Sequence, residues 1–133
     1  MKPNSKILCI LSKYNYREKS RGISAEYNII YNPLKKLSKY KLHLINTADK
    51  KFETIKQLNS SILKKTKSIK PDYIFLAINT YEVYLETLYL LKKSCGSKII
   101  NWFSDDSWRY NQHSKFYAKN SDYVITNYRP SHI

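Results

Sequence analysis

Two continuous apolar runs constrain the fold of this chain more than any other feature of its sequence. One covers Lys6 to Leu11 and the other covers Tyr73 to Ile78. Apolar residues that follow one another without polar alternation are typical of strands buried on both faces, which lie inside parallel sheets. Pro71 and Asp72 precede the second run and predict that a helix ends there. The two runs therefore predict a parallel sheet that is covered on both sides.

Three further strands and four helices complete an alternating pattern. Lys41–Asn46 alternates polar and apolar residues, which suits a strand near an edge, and further strands are predicted over Lys98–Phe103 and Asp122–Thr126. Helices are predicted over residues 24–37, 51–69, 79–93 and 107–119. This alternation predicts an α/β fold, a doubly wound parallel five-stranded sheet in a three-layer sandwich. Right-handed crossovers favour the strand order 2-1-3-4-5, with 3-2-1-4-5 as the alternative.

Several residues predict where the helices begin, bend and end. Ser24 is a plausible N-cap, and Pro33 is expected to kink the helix that follows it. Asn79 and Glu82 have the spacing of a capping box, in which the Glu side chain reaches back to the first residue. Gly96 is expected to end the third helix.

Length and composition predict a single domain over residues 1–133 with a modest core. Hydrophobic residues make up 42% of the chain, which excludes a disordered protein. The net charge is +14, but only four of the 24 basic residues are arginines, the type best suited to phosphate. The chain is also rich in isoleucine, asparagine and tyrosine, which like lysine have AT-rich codons, so genome composition accounts for much of the basicity. The remaining inference is an electrostatic field that favours anionic ligands.

Cysteine and histidine usage predicts neither a disulfide framework nor a metal site. Cys9 and Cys95 are isolated, and His43, His113 and His132 have no ligand spacing. Unpaired cysteines favour a reducing compartment. No apolar run is long enough for a signal-peptide core or for the ~20 residues of a membrane span. A cytoplasmic protein without a metal or a transmembrane segment is therefore predicted.

Polar residues follow three of the predicted strands. Ser12 comes after the first strand, Asn79 after the third, and Asp105 and Asp106 after the fourth. The carboxyl ends of parallel strands meet at one edge of the sheet, where open α/β folds bind ligands. With the order 2-1-3-4-5, these residues are predicted to lie close together. For the two aspartates, capping of the next helix is the alternative interpretation.

The loop after the first strand, residues 12–22, is basic and aromatic. It carries Tyr14, Tyr16, Arg17 and Arg21 and leads into the start of a helix. Arginine side chains and free backbone amides at a helix start are suited to hold an anion. A mobile surface loop is the alternative interpretation.

Several common α/β functions are disfavoured by missing motifs. The sequence contains no Gly-x-Gly-x-x-Gly, no Gly-Lys-Ser/Thr phosphate loop and no Gly-x-Ser-x-Gly elbow. A phosphoryl-accepting receiver domain needs acidic residues at the ends of the first and third strands. Ser12-Lys13 and Ile78-Asn79 stand there instead.

Three pieces of the sequence carry a resemblance to a known family. They are Lys6-Ile-Leu with the later Gly22-Ile-Ser-Ala-Glu-Tyr, Lys70-Pro-Asp-Tyr-Ile-Phe, and Asn101-Trp-Phe-Ser-Asp-Asp-Ser-Trp-Arg-Tyr followed by Asp122-Tyr-Val-Ile-Thr. Across nearly the whole chain, these pieces resemble the N-terminal half of a GT-B glycosyltransferase. The family in question is the one named after the spore-maturation protein CgeB.

The resemblance implies a Rossmann-like, acceptor-side lobe of a metal-independent transferase. Such an enzyme moves a sugar from a nucleotide-activated donor to a carbohydrate or glycosylated acceptor. The lobe itself holds no cofactor, because the donor binds a C-terminal lobe that this sequence lacks. That lobe is expected in cis or in trans, and the chain is not expected to be active alone.

Residue roles follow from this hypothesis. Asp105 and Asp106 are the catalytic candidates, expected to contact acceptor hydroxyls, with one acting as general base. Trp108 is expected to offer a flat apolar face to a sugar ring. Further substrate-binding candidates are Ser12, Arg17, Arg21, Asn79 and Arg109. For Arg109, an ion pair with one of the two aspartates is the favoured alternative.

The competing interpretation is a non-enzymatic α/β module that binds nucleic acid or another polyanion. Its contact surface would be Tyr14, Tyr16, Arg17, Arg21 and the surrounding lysines. Such binding weakens steeply as salt is raised, whereas stacking on a sugar hardly responds to salt.

Overall fold

Five parallel strands form one sheet in the computed structural model. The structure describes residues 1–104 and 106–126, but only the backbone of Asp106 and Ser107. The strands are β1 (Lys6–Leu11), β2 (Lys41–Asn46), β3 (Tyr73–Ala77), β4 (Lys98–Phe103) and β5 (Tyr123–Thr126). Their order is β2-β1-β3-β4-β5, and every neighbouring pair is parallel. The predicted order 2-1-3-4-5 is confirmed.

The helices are shorter and more interrupted than the sequence predicted. A π-helical turn, Tyr27–Tyr31, leads into α1 (Asn32–Leu37), and α2 (Ile55–Ile69) and α3 (Leu85–Cys95) follow. Between β4 and β5 lie α4 (Asp106–Arg109), a second π-helical turn (Tyr110–Ser114) and α5 (Lys115–Ala118). Two short 3₁₀ turns, Asn15–Arg17 and Lys19–Arg21, lie in the loop after β1.

The core lies on both faces of the sheet, which confirms the three-layer prediction. On one face, α2, α3 and α5 cover strand residues such as Leu8 and Leu76. On the other face, the π-helical turn and α1 pack on Ile7, Cys9 and Leu11. Successive side chains of β1 alternate between the faces, so the whole strand is buried apart from Lys6.

Pro33 explains the π-helical turn that precedes it. Proline has no backbone N–H, and its ring clashes with the carbonyl four residues earlier. The helix therefore cannot continue its hydrogen bonds between each amide and the carbonyl four residues before it. The helix widens instead, and the Asn32 amide bonds the carbonyl of Tyr27, five residues back. The cap of this helix is as predicted, because Ser24 Oγ accepts from the Tyr27 amide at 3.0 Å.

Two aspartates join neighbouring strands in the same way. Asp72, just before β3, accepts a 2.8 Å hydrogen bond from the Lys6 amide at the start of β1. Asp122, just before β5, accepts one of the same length from the Ile99 amide of β4, and this bond is the main reason why its pKa is lowered. Each aspartate thus joins the start of its own strand to the neighbouring strand in the sheet, β3 to β1 and β5 to β4.

The predicted start of the third helix was wrong. The helix begins at Leu85, and its N-terminal neighbour Tyr84 makes no side-chain cap. Asn79 and Glu82 do not form a capping box, since both side chains bond other parts of the molecule. The second helix begins at Ile55, later than predicted, because Thr54 caps it by accepting from the Gln57 amide.

No helix within residues 1–104 and 106–126 is both long and apolar enough to cross a membrane.

Candidate functional site

A cleft of about 830 Å³ opens at the carboxyl edge of the sheet, above β1, β3 and β4. This is the edge where the strand order reverses between β1 and β3, the usual ligand position in open α/β sheets. The loop after β1, the start of the first helix, the segment after β3, the end of β4 and the α4 region all contribute to its lining. The residues are Ser12, Tyr14, Asn15, Tyr16, Arg17, Ala25, Glu26, Ala77, Asn79, Thr80, Tyr81, Glu82, Trp102, Ser104, Trp108, Arg109, Gln112 and His113.

The loop after β1 is folded back on itself by its own polar groups. Ser12 Oγ donates to the Tyr14 carbonyl, and Tyr14 forms an isolated antiparallel bridge with Ile23. The Asn15 amide bonds the Gly22 carbonyl at 3.0 Å, and the Asn15 side chain bonds two more carbonyls across the loop. These hydrogen bonds join the two ends of the loop and define its backbone path.

Tyr16 and Arg17 sit at the tip of this loop in the left-handed backbone region. Their φ angles are +51° and +63°, which cost non-glycine residues energy and are enriched at functional sites. The reversal lets the Arg17 guanidinium turn inward and donate to the Thr47 carbonyl beyond β2 at 2.8 Å. The Tyr16 ring is left 82% exposed, with the Arg21 guanidinium 4.9 Å from its centre.

Glu82 provides a carboxylate at the floor of the cleft, only 4% exposed. Its oxygens accept hydrogen bonds from the hydroxyls of Thr47 and Thr80. Burial raises the pKa of Glu82, and the two hydroxyls and the charges of Arg17 and Arg109 oppose that rise. The floor is therefore a place where an acidic group is held in place with little water around it.

Asn79 links two of the elements around the cleft. Its amide nitrogen donates to Glu26 at 3.0 Å, and its oxygen accepts from Ser104 at 3.2 Å. Glu26 belongs to the helix start after β1, and Ser104 follows β4. The side chain that the sequence assigned to a helix cap instead joins the neighbours of β3.

Trp108 and Arg109 form the side of the cleft that follows β4. The Trp108 ring is 68% exposed, and the Arg109 guanidinium lies 5.5 Å from its centre. Arg109 has no hydrogen bond within the part of the chain that the structure describes, although its charge reaches Glu82. A large exposed ring beside a cation at a cleft edge is suited to contact a ligand.

An aromatic cluster supports the cleft from below. His113 is buried between the rings of Tyr81 and Tyr117, at 4.9 and 4.6 Å between centres, and its Nε2 lies 3.2 Å from the Thr80 carbonyl. Tyr117 is fully buried and donates to the Val83 carbonyl at 2.5 Å. The cluster fixes the segment 80–83, which carries Glu82.

The structure brings most of the predicted binding residues together. Ser12, Arg17, Asn79, Trp108 and Arg109 line the cleft. Arg21 does not line it: this side chain pairs with Glu18 at 3.0 Å and touches the site only through Tyr16. Asp105 lies outside the described residues, and so does the side chain of Asp106. A ligand role for any of these residues stays a prediction.

Sequence reasoning missed several residues in and behind the cleft. Thr47, whose hydroxyl donates to the cleft residue Glu82, follows β2, so the strand-end rule applied to that strand would have found it. Glu82 had been read as a helix-capping residue, and its burial has no local signature. His113 and Tyr81 come together from positions 32 residues apart, which only the tertiary fold reveals.

Metal binding has no support among the side chains that the structure describes, since no three His, Cys, Asp or Glu of that set come together. The described carboxylates of the cleft, Glu26 and Glu82, are each occupied by hydrogen bonds to neutral groups.

Comparison with known proteins yields a structural likeness only. No known protein family matches the sequence, and no curated protein matches it. The structure is similar to the response regulator domain of CheB from Thermotoga maritima, with a TM-score of 0.56. The two chains are 15% identical, and the match covers 98% of this chain and 83% of the other. At this identity the likeness establishes the fold, which is of the flavodoxin-like doubly wound type.

The predicted membership of the CgeB glycosyltransferase family was wrong, and with it the assignment as the acceptor-side lobe of a GT-B enzyme. The structural neighbour is a receiver domain, and no family or curated match supports sugar transfer. The physical reason lies in the pieces that carried the resemblance. Asp72 and Asp122, each before a strand, join neighbouring strands, a structural role that does not depend on sugar transfer.

The competing nucleic-acid or polyanion interpretation is not supported either. Part of the lysine content has a structural use: Lys6 Nζ donates to the Ile69 carbonyl and Lys65 Nζ to the Leu44 carbonyl. Such lysines satisfy backbone groups at the ends and edges of elements and do not form a contact surface for phosphates.

Proposed function

We propose that this chain is a receiver-like signalling domain that responds to a small anion bound noncovalently in the cleft. Its fold is that of a response regulator domain, which supports a signalling role. Its chemistry departs from phosphoryl acceptance, because Ser12 follows β1 and Ile78-Asn79 follows β3, where acceptance needs acidic residues. The cleft is instead equipped for reversible binding.

The observation that carries this proposal is the pair of guanidinium groups that Arg17 and Arg109 bring into one cleft. They come from loops after β1 and β4, on either side of β3. Arg17 has one hydrogen bond, to the Thr47 carbonyl, and Arg109 has none among the described residues. Guanidinium donors left without partners bind carboxylates and phosphates in charge-assisted pairs.

Neutral polar groups complete the proposed site. Ser12 and Asn79 lie at the ends of the two central strands and present a hydroxyl and an amide beside the arginines. Glu82 offsets part of the charge of the two arginines and leaves a net positive charge for an anion. The compartment we propose is the cytoplasm, because Cys9 and Cys95 are both free thiols.

Binding of inorganic phosphate, followed by amide NMR, tests the proposal. We expect phosphate to shift the amides of residues 12–17, 79–82 and 106–113. Arg109→Gln is expected to weaken binding about tenfold, the order of one charge-assisted hydrogen bond. Lys93→Gln removes an equal charge from α3, outside the cleft, and serves as the matched control. Equal affinities in the two variants would refute the site.

Incubation with phosphoramidate and magnesium tests the other half of the proposal. We expect mass spectrometry of the intact protein to show no covalent phosphate, because no carboxylate follows β1 or β3 directly. A stoichiometric acyl phosphate would show instead that the chain is a phosphoryl acceptor.

A further inference from the structure

The sides of the cleft carry two large aromatic rings that the fold itself does not use. Tyr16, in the loop after β1, is 82% exposed, and Trp108, after β4, is 68% exposed. Other tyrosines of the site have structural partners, as Tyr81 has in His113. Exposed rings of this size are seldom left at a concave site without a use, because their contact with water is unfavourable.

Each of these rings is paired with a guanidinium. The Arg21 guanidinium lies 4.9 Å from the Tyr16 ring centre, and that of Arg109 lies 5.5 Å from the Trp108 ring centre. A guanidinium over one face of a ring orients the ring and leaves its other face for a flat partner. The cleft thus presents ring faces and cations side by side, on both of its sides.

The two rings belong to opposite sides of one cleft. Tyr16 follows β1 and Trp108 follows β4, the strands that flank β3, and both residues line the same cavity. The volume, about 830 Å³, is also that of a site for a whole organic molecule and far exceeds that of a single phosphate.

We propose that the ligand is a mononucleotide-like molecule, an anionic group joined to a flat heteroaromatic ring, whose ring contacts Trp108 and Tyr16 and whose anionic group binds Arg17 and Arg109. This inference rests on the proposed function, since it names the ligand class of the same cleft. Asn79, Ser12 and Glu82 line the same cleft and are polar groups that hydroxyl groups of such a ligand can contact.

Calorimetric titration with AMP, GMP and inorganic phosphate tests the ligand class. We expect at least one nucleotide to bind ten or more times more tightly than phosphate. Trp108→Ala and Tyr16→Ala are each expected to weaken nucleotide binding about five- to a hundredfold, the range for stacking of one base, and to weaken it by a larger factor than phosphate binding. Tyr89→Ala is the matched control, because Tyr89 is an exposed ring beside Lys93 on α3, away from the cleft.

The outcomes separate the two proposals. If phosphate binds and Arg109→Gln weakens it, but nucleotides bind no better and the ring variants change nothing, the ligand class is wrong and the anion site stands. If neither phosphate nor a nucleotide binds, the proposed function fails as well. If nucleotides bind equally to Trp108→Ala, Tyr16→Ala and Tyr89→Ala, the ring contact is refuted.

Discussion

At the scale of single residues, the most consequential group is the carboxylate of Glu82. It lies where water is largely excluded, and the hydroxyls of Thr47 and Thr80 replace the water that it has lost. An ionised group in such a place costs stability even when it is hydrogen-bonded, and the charges of Arg17 and Arg109 offset part of that cost.

The first prediction concerns the pH dependence of stability through Glu82. Burial raises the pKa of this group in the folded protein above its ordinary value of 4.5. The stability linked to the neutral carboxyl is thus fully present at a pH below its pKa in the unfolded chain. This stability is lost as the pH rises through the higher pKa of the folded protein. We expect Glu82→Gln to be more stable than wild type at pH 7, with the difference shrinking towards pH 4.

Urea unfolding at several pH values measures this difference. Glu53→Gln, an exposed position before α2, is the control and is expected to stay within about 0.5 kcal/mol of wild type at every pH. A difference for Glu82→Gln that is constant with pH would contradict the assignment of the shift to this carboxyl.

The second prediction concerns the buried hydroxyl of Tyr117. It donates to the Val83 carbonyl, and burial raises its pKa, so the hydroxyl stays protonated as a donor. Tyr117→Phe leaves that carbonyl without its donor and is expected to cost about 1–2 kcal/mol in urea unfolding. Tyr123→Phe, at an exposed position in β5, loses an equivalent hydroxyl and is expected to change stability by less than about 0.5 kcal/mol.

At the scale of elements, the helices share one way of ending. The residue after α1, α2 and α3 is left-handed in each case: Ser38, Lys70 and Gly96, with φ of +56°, +52° and +63°. Glycine takes this conformation without steric cost, whereas other residues are strained there. Two of the three helix ends therefore carry strain that a single substitution removes.

The third prediction follows from these helix ends. Lys70→Gly is expected to stabilise the protein by about 0.5–1 kcal/mol, because it relieves the strain after α2. Gly96→Ala is expected to destabilise the protein by about 1 kcal/mol, because alanine is strained in the left-handed conformation of this position. No atom lies within 4 Å of the added methyl group, so the change measures the backbone strain alone. Urea midpoints at constant slope measure both, and a destabilised Lys70→Gly would show that the Lys side chain matters more than its backbone.

At the scale of the whole molecule, β1 is the strand on which the rest is assembled. It pairs with β2 and β3, and both layers of helices cover it. Cys9 lies at its middle, fully buried, and burial raises the pKa of its thiol to about 12. Cys95, at the end of α3, is only partly buried.

The fourth prediction uses these two thiols to report global opening. In native protein at pH 8, we expect the Cys95 thiol to react with iodoacetamide. We expect the Cys9 thiol to react only as fast as the whole sheet opens. The rate at Cys9 should then rise with urea in parallel with unfolding. Mass spectrometry after proteolysis assigns the labels, and Cys95→Ser isolates the buried thiol. Rapid native labelling of Cys9 would mean that β1 opens locally.

The amino-acid sequence by itself determined the strands, their parallel arrangement and the layers, it favoured the strand order 2-1-3-4-5 over 3-2-1-4-5, and it indicated the edge of the sheet that holds the cleft. Those features follow from runs of apolar residues such as Lys6–Leu11 and Tyr73–Ala77. Such runs can be recognised from neighbouring residues alone, because consecutive side chains of the strand are buried. The strand-end rule then placed Ser12 and Asn79 at one edge, as the structure has them.

Only the tertiary structure decided which side chains line the cleft and to which known structure the fold is similar. The turn that brings the Arg17 guanidinium to the Thr47 carbonyl depends on the left-handed conformations of Tyr16 and Arg17. No local sequence pattern predicts these conformations. The spacing of Glu82 predicts a helix cap, whereas its actual partners are the hydroxyls of Thr80, two residues away, and of Thr47, 35 residues away, and neither lies in a helix. The family resemblance failed for the same reason: short motifs before strands report the needs of a parallel sheet, and the chemistry of a site depends on side chains that converge from distant loops.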